Sequence, residues 1–355
     1  MNTLQQFDVI IIGGGIAGSS PNAKTLKVGE SLPGEAKNIL QSLGVFEGIN
    51  NDAMQGKHNF CYENCSTWGS DDLLGSNTIF EIYETLLKTA NLQHGQFITI
   101  MRDSKVTGLF ISKDINHRDT HWKIKISNIV IQINGKILID ASGRQCCIRK
   151  CLSNLKRNSF DKLLAFACLF EADNDISCKV DSNHYTLIES CAFGWWYISL
   201  LPNKQRIVVF HTDDDLHQIN RNIRLVEEFN EFIKETTVNF TRNISEHSYR
   251  PVGKRVMCMP ANSTSLSQFG MLTALYSAKL GAEAIFFQYF NGKEITNKDN
   301  RIQPLEVYQQ YLENTFNKYM REKEFFYNKE QRWNNEMFWK RRHKNQSYLN
   351  IADDK

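Results

Sequence analysis

The feature that most constrains this chain is a glycine spacing at its start. Residues 7–12 (FDVIII) form a short apolar, β-branched run, and Gly13, Gly15 and Gly18 follow in G-x-G-x-x-G spacing. A run of this kind predicts a strand buried in a parallel sheet. The first glycine permits a tight turn and the second lets backbone approach a pyrophosphate. The third lets the next helix pack close to the strand, with the helix N-terminus facing the phosphate. The spacing therefore predicts a dinucleotide-binding unit.

That unit then departs from its pattern. A crossover helix and a second strand belong between the glycines and an acidic residue, about twenty positions on, that holds ribose hydroxyls. Pro21 instead stands three residues after Gly18. Proline biases Ser20 away from helical angles, so a helix begun near Gly15 is left with barely one turn. The first crossover helix is expected to be missing or displaced. Glu30 follows the alternating Leu26 and Val28, but the interval from Gly18 to Leu26 leaves no room for a helix, and Glu30 is not read as the ribose acid.

The 355 residues suffice for one large or two interleaved domains with a sizeable core. A formal charge of +3 is too small for a chain of this size to argue for nucleic acid or a membrane surface as partner. No apolar run reaches the eighteen or so residues of a spanning helix. The first six residues, MNTLQQ, have neither the basic region nor the apolar core of a signal peptide. The expectation is a cytoplasmic protein without a membrane span. Nine cysteines, an odd number that includes the adjacent pair Cys146 and Cys147, fit a reducing compartment and buried thiols. His58, Cys61 and Cys65, and likewise His117 and His121, lack a second pair at zinc-site distance, so no metal is expected. No G-x-S-x-G elbow supports serine catalysis.

Periodicity organises the rest. Residues 34–43 put Ala36, Ile39, Leu40 and Leu43 on one helical face, with Gly44 as the stop. Strands are predicted over 104–112, 121–127 and 136–140, with Asn134-Gly135 as a hairpin turn, and a helix near Phe80. A second β-rich block covers 163–172, 184–189, 194–200 and 206–212 and predicts a mostly antiparallel sheet. Ile223, Val226, Phe229, Phe232 and Ile233 form a helical stripe, whereas 269–290 is apolar on most of its surface and is expected to be buried. Residues 304–342 read as a long aromatic-rich helical region. Its Tyr308, Tyr311, Phe316, Tyr319, Phe326, Trp333 and Trp339 are read as core, and its basic end as complementing a helix C-terminus.

Taken in order, FDVIIIGGGIAGSS, KVGESLPGEAKNILQSLGV, STWGSDDLL, ILIDASGR, GWWYISLLP, SQFGMLTALYSAKLGAEAI and RW…FWKRRH resemble the flavin-dependent oxidoreductases of the tryptophan-halogenase-like branch. Within that branch the chain looks most like the flavoproteins that accompany lysine- or glycine-oxidising quinone-cofactor enzymes. The resemblance implies an α/β fold. A Rossmann-like FAD-binding domain (1–50, 80–150 and 255–300, discontinuous and incomplete) would interleave with a mostly antiparallel substrate domain (51–79 and 151–254). A helical C-terminal region (301–355) would follow. It implies FAD as cofactor, a monooxygenase-like oxidation of an aromatic group, and a small aromatic substrate or a partner oxidase protein.

By the same resemblance Gly13, Gly14, Gly15, Ala17 and Gly18 would face the FAD pyrophosphate, with Glu30 near the flavin. Asp140, Ala141 and Gly143 would form the strand-ending turn near the adenosine part. Gly270 and Met271 would open a helix whose free N–H groups, at its positive end, favour the anion of a reduced flavin. For Gly270 a turn requiring positive φ is the competing reading. Trp195, Trp196 and Tyr197 fit either a wall of the substrate cavity or a strand whose rings alternate between core and surface. The chain lacks a clean W-x-W-x-I-P element, which disfavours halogenation. The catalytic residues are not assigned by sequence.

Three departures from the family accompany these matches. Besides the crossover helix and second strand, a GDAA…DP element is absent before Ser267, where Met259-Pro260-Ala261-Asn262-Ser263 stands, and a further shortening follows Leu74. A hydrogen bond to a charged group is worth about 1.5 to 3 kcal/mol, so losing two cofactor-holding carboxylates weakens FAD binding by several orders of magnitude. The alternative to an active enzyme is therefore a non-catalytic or truncated descendant with impaired FAD binding.

Overall fold

A computed structural model describes residues 5–13, 32–59, 61–80, 106–113, 120–126, 132–143, 146–148, 161–173, 181, 183–261, 269–290 and 303–343. In chain order the first elements are β1 (Gln5–Ile12), β2 (Leu32–Pro33), α1 (Ala36–Ser42), α2 (Phe46–Met54), β3 (Cys61–Ser66), β4 (Leu74–Phe80), β5 (Val106–Lys113), β6 (Thr120–Ile126) and β7 (Gln132–Asp140). Next come β8 (Leu163–Ala172), β9 (Tyr185–Cys191), β10 (Gly194–Leu200) and β11 (Arg206–Asp213). After these follow α3 (His217–Asn222), α4 (Val226–Thr236), α5 (Asn239–Glu246), β12 (Tyr249–Pro251), β13 (Met257–Pro260), α6 (Phe269–Ile285), α7 (Pro304–Lys329) and α8 (Met337–His343). The chain divides into two compact units, Met1–Leu26 with Leu87–Ser159, and Lys27–Leu86 with Phe160–Lys355.

The first unit holds a four-stranded sheet in the order β1-β7-β6-β5. β1 and β7 are parallel, with Ile12 opposite Asp140, and the remaining pairs are antiparallel. Ile12, Ile124, Ile126, Ile133 and Ile148 form its core. Burial along β1 is less complete than the apolar run predicts: Ile12 is inside, while Ile11 is 58% exposed. The hairpin turn expected at Asn134-Gly135 is not there, because both residues lie within β7. Gly135 is glycine for a different reason: a Cβ there would meet the Ile10 side chain at 2.5 Å, so the close approach of β1 selects it.

The second unit is built on a nine-stranded sheet, β12-β8-β11-β10-β9-β3-β4-β2 with β13 also on β8. Its pairings are antiparallel except β3 with β9. The mostly antiparallel sheet read from the sequence is thus present. Phe80 is the last residue of strand β4, opposite Leu32, and the residues that follow it, where a helix is expected, lie outside the described residues. One face of the sheet carries Phe166, Phe170, Trp196 and Phe210 against Val226, Phe229 and Ile233 of α4 and Phe240 of α5. Each such side chain contributes about 1.5 to 3 kcal/mol on full burial, which is what holds the short, uncapped α4.

Helix α5 starts where the buried Glu189 carboxylate of β9 accepts the N–H groups of Val238, Asn239 and Phe240 at 2.8 to 3.2 Å. A carboxylate at these free donors neutralises the positive helix end.

Trp195, on the opposite face of β10, belongs to a second aromatic cluster with Trp68, Tyr327 and Trp339. The single helical region predicted over 304–342 is two helices. α7 begins with a Gln303–Glu306 capping box and ends at Glu330, whose fully buried carboxylate accepts from Gly69 N–H, Ser190 Oγ and Arg332. Burial raises the Glu330 carboxyl, but the hydrogen bonds from Arg332 and Ser190 outweigh it and hold the group below its ordinary value. Trp339 is core as read, whereas Phe316 is 43% exposed. The basic end does more than complement a helix dipole. Arg342 is buried, with its guanidinium on both Asp213 and Asp161. Among the described residues no helix is long and apolar enough to cross a membrane.

Candidate functional site

The carboxyl ends of the parallel pair β1 and β7 meet at Gly13 and Asp140, the edge of an open α/β sheet at which ligands bind. Gly13 has φ +111°, and a Cβ there would lie 2.4 Å from the carbonyl carbon of Ala141 and 2.5 Å from Ser142 N. Only glycine fits, for conformation and for space. Ala141 N–H donates to Ile12 O at 2.7 Å, locking the two strand ends together.

Asp140 shapes the turn that follows. Its Oδ1 accepts Ser142 N–H at 3.0 Å and the Ser142 hydroxyl, and its Oδ2 accepts Ile148 N–H at 2.9 Å. Ser142 Oγ in turn accepts Cys147 N–H at 2.8 Å, and Gly143 O accepts Cys146 N–H at 3.1 Å. Gly143 has φ +60°, and the space where its Cβ would stand is open. The aspartate works as an internal anchor that presents loop backbone.

Gly13, Asp140, Ala141 and Gly143 are thus brought together in the first unit. Gly270 and Met271 lie in the first turn of α6, in the second unit. Gly270 is not among the glycines of positive φ, so it does not serve a turn that requires one. Four N–H groups at such an end have no partner within the helix. Gly14, Gly15, Ala17, Gly18 and Glu30 lie outside the described residues. Where the family's GDAA…DP element would stand, residues up to Pro260 are strand β13 on β8, and Ala261 N–H continues the pairing onto Leu163 O. The far end of α6 departs from expectation: its last turn passes into a π-helix, Phe286–Phe290, whose four aromatic rings are exposed rather than buried.

Trp195, Trp196 and Tyr197 are all buried, and the two tryptophans are fully so. Both faces of β10 are buried, so these rings do not alternate between core and surface. Trp196 packs on Phe210, Phe229, Phe232 and Phe240, and its Nε1–H donates to Thr236 Oγ1 at 3.1 Å. Trp195 stacks on His211, which sequence does not single out because one histidine inside RIVVFHTD carries no spacing signal. Burial holds the His211 imidazole down to about 3, so it is neutral at ordinary pH. Thiols behave as the small apolar groups expected of them: burial pushes Cys65 and Cys168 up to about 11.

No family model matches the chain. A protein of Marinomonas mediterranea named as an FAD-dependent oxidoreductase, LodB, is 23% identical over 397 aligned positions, covering 96% of this chain and 98% of the relative. The myxobacterial chondrochloren halogenase CndH superposes with a TM-score of 0.71 at 13% identity, over 98% of this chain and 88% of that one. The chain has the fold of the FAD-dependent halogenases. The same fold appears in QhpG, a peptidyl tryptophan dihydroxylase essential for tryptophylquinone cofactor biogenesis, with a TM-score of 0.63 at 14% identity over 95% of this chain and 78% of that one. The halogenase-like flavoprotein branch indicated by the motifs is therefore the one to which the chain is similar in sequence and in fold. LodB contributes one further observation. Its alignment runs over more positions than the 355 residues of this chain, so the relative carries internal segments that this chain lacks.

Proposed function

We propose that the chain is an FAD-dependent oxidoreductase of the monooxygenase type, which oxidises an aromatic group carried on a partner protein during maturation of a quinone cofactor. The observation that carries this reading is the closure of Gly13 onto Ala141 and Ser142 at the carboxyl ends of two parallel strands. Full-length similarity to LodB and the shared fold of QhpG support the chemistry and the partner.

The residues present fit part of the cofactor. Gly13 is an approach that any side chain would close, and the open side of Gly143 leaves the turn backbone accessible. On this reading Gly13 and the turn from Asp140 to Gly143 hold the dinucleotide, with Asp140 fixing the turn through three hydrogen bonds. The N–H groups of Gly270 and Met271 stabilise negative charge on the ring system. FAD, when bound, supplies the electrons that activate oxygen. Gly14, Gly15, Ala17, Gly18 and Glu30 complete the proposed set.

A second reading has its own support in the segments that LodB carries and this chain lacks. It is a folded descendant that binds FAD weakly and keeps the partner contact without the chemistry. The full chain, purified and titrated with FAD while flavin absorbance and fluorescence are followed, decides between them. The enzyme reading expects a yellow protein whose bound flavin, once reduced, consumes oxygen and modifies the partner. Folded protein that stays colourless even after refolding with FAD overturns it and leaves the second reading.

A further inference from the structure

The turn at the end of β7 contains the adjacent thiols of Cys146 and Cys147, each half-buried. We propose that these two cysteines form a peroxide-reactive dithiol that closes to a strained disulfide and, in closing, opens the turn organised by Asp140. The inference does not depend on a bound flavin.

Three observations carry it. Cys146 has φ +42°, a left-handed conformation that a non-glycine residue holds only where its surroundings impose it. Its Sγ sits over Gly143 O at 3.4 Å on the exposed side of the turn, whereas Cys147 packs against the apolar cluster around Ile12 and Ile148. The peptide joining the two cysteines is also part of the turn's hydrogen bonding. Cys147 N–H donates to Ser142 Oγ, and the next amide, Ile148 N–H, donates to Asp140 Oδ2.

Neighbouring Cα atoms are about 3.8 Å apart across a trans peptide, less than the roughly 4.4 to 6.8 Å that an unstrained disulfide spans. Bonding the two sulfurs therefore requires the linking peptide to reorient, and the bond from Cys147 N–H to Ser142 is the one that such a movement breaks. Strain of this kind makes a disulfide easy to reduce, the property of a reversible modification rather than a structural link.

The chemistry balances with hydrogen peroxide as oxidant. Cys146, its thiol proton released to solvent, attacks one peroxide oxygen; the O–O bond breaks, and the leaving hydroxide takes up a proton, giving a sulfenic acid and one water. The Cys147 thiol then displaces the sulfenic oxygen as a second water. Two thiols lose two protons and two electrons, and one peroxide takes up both to become two waters.

The test treats the full chain with a small molar excess of hydrogen peroxide, then maps alkylated peptides by mass and follows amide hydrogen exchange. The expected product is one peptide lighter by two hydrogens, alkylated at neither cysteine and restored by dithiothreitol. Exchange at the Cys147 and Ile148 amides should rise at least tenfold in the oxidised form. Cys147→Ser should stop at a sulfenic acid on Cys146 that dimedone traps, and Cys146→Ser should lose no hydrogens. A disulfide to Cys151, a Cys146 sulfinic acid formed while Cys147 still alkylates, or a Cys146–Cys147 disulfide with unchanged exchange would each overturn the proposal. Should a serine variant fail to fold, the peptide map and exchange of the unsubstituted protein still decide.

Discussion

Trp195 and His211 lie face to face on neighbouring strands, ring centroids 3.6 Å apart and planes 8° from parallel, with both side chains inside the protein. Protonating His211 would place a charge where no water reaches. Its value in the folded chain, about 3, lies below the ordinary 6.5, so the unfolded state binds the extra proton. Stability contributed by the neutral imidazole is complete above about pH 6.5 and is lost as pH falls towards 3, at a slope approaching 1.4 kcal/mol per pH unit. The expected outcome is that His211→Gln flattens the melting temperature between pH 6 and 4 relative to the parent. Identical pH profiles for the two proteins would remove His211 as the cause.

Gly13→Ala should damage the turn proposed to hold FAD without unfolding the second unit. The substitution forces a side chain into φ +111° and drives its Cβ to 2.4 Å from Ala141 backbone. A strained residue of this kind costs about 1 to 3 kcal/mol, and the clash adds to it. Flavin retention, measured by absorbance after gel filtration, should fall at least tenfold, while near-ultraviolet circular dichroism from the tryptophans of the second unit stays unchanged. Retention equal to the parent would detach Gly13 from the cofactor.

How far the sequence was legible follows from which signals are local. Strands β8 and β10 lie where alternation puts them, and the stripe of Val226, Phe229 and Ile233 marks α4 because burial on one face has a fixed period. Asn134-Gly135 misled because a glycine selected by the approach of Ile10 looks the same in sequence as one selected by a turn. Of the proposed site, Gly13 and the Asp140 turn were legible through their motif. The anchoring of that turn by Ile148 N–H was not, nor the stacking of His211 on Trp195, nor the break at Glu330. Each depends on a partner brought up by tertiary structure, and no periodicity records it.

Arg342 and Asp213 form the most exacting charge pair of the C-terminal region. Both Asp213 oxygens accept from the guanidinium, at 2.6 and 3.0 Å, and Asp161 takes a third bond at 2.8 Å. The Phe338 ring lies 3.7 Å from the guanidinium carbon. Without Arg342 the buried Asp213 keeps Arg341, at 3.1 Å, and Asp161 keeps Lys323, so Arg342→Ala should cost about 1 to 3 kcal/mol in urea unfolding, the cost of acceptors left partly unsatisfied. Arg342→Ala with Asp213→Ala should cost less than the sum of the two single changes. Strict additivity would show that the pair is not coupled.

Glu189→Ala tests whether helix α5 depends on a carboxylate from the sheet. Three consecutive backbone N–H groups, those of Val238, Asn239 and Phe240, share this one acceptor, and the α5 cap residue supplies no side-chain bond of its own. An unsatisfied buried donor costs about 1 to 3 kcal/mol, so the loss should fall at the upper end of that range or beyond. Because Phe240 is buried beside Trp196, fraying of the first turn of α5 should also redden Trp196 fluorescence before global unfolding. Glu189→Gln, which keeps one acceptor oxygen, should recover roughly half of the loss. Hydrogen exchange at the three amides is the direct measurement. Unchanged protection in Glu189→Ala would show that α5 is held by its apolar face alone.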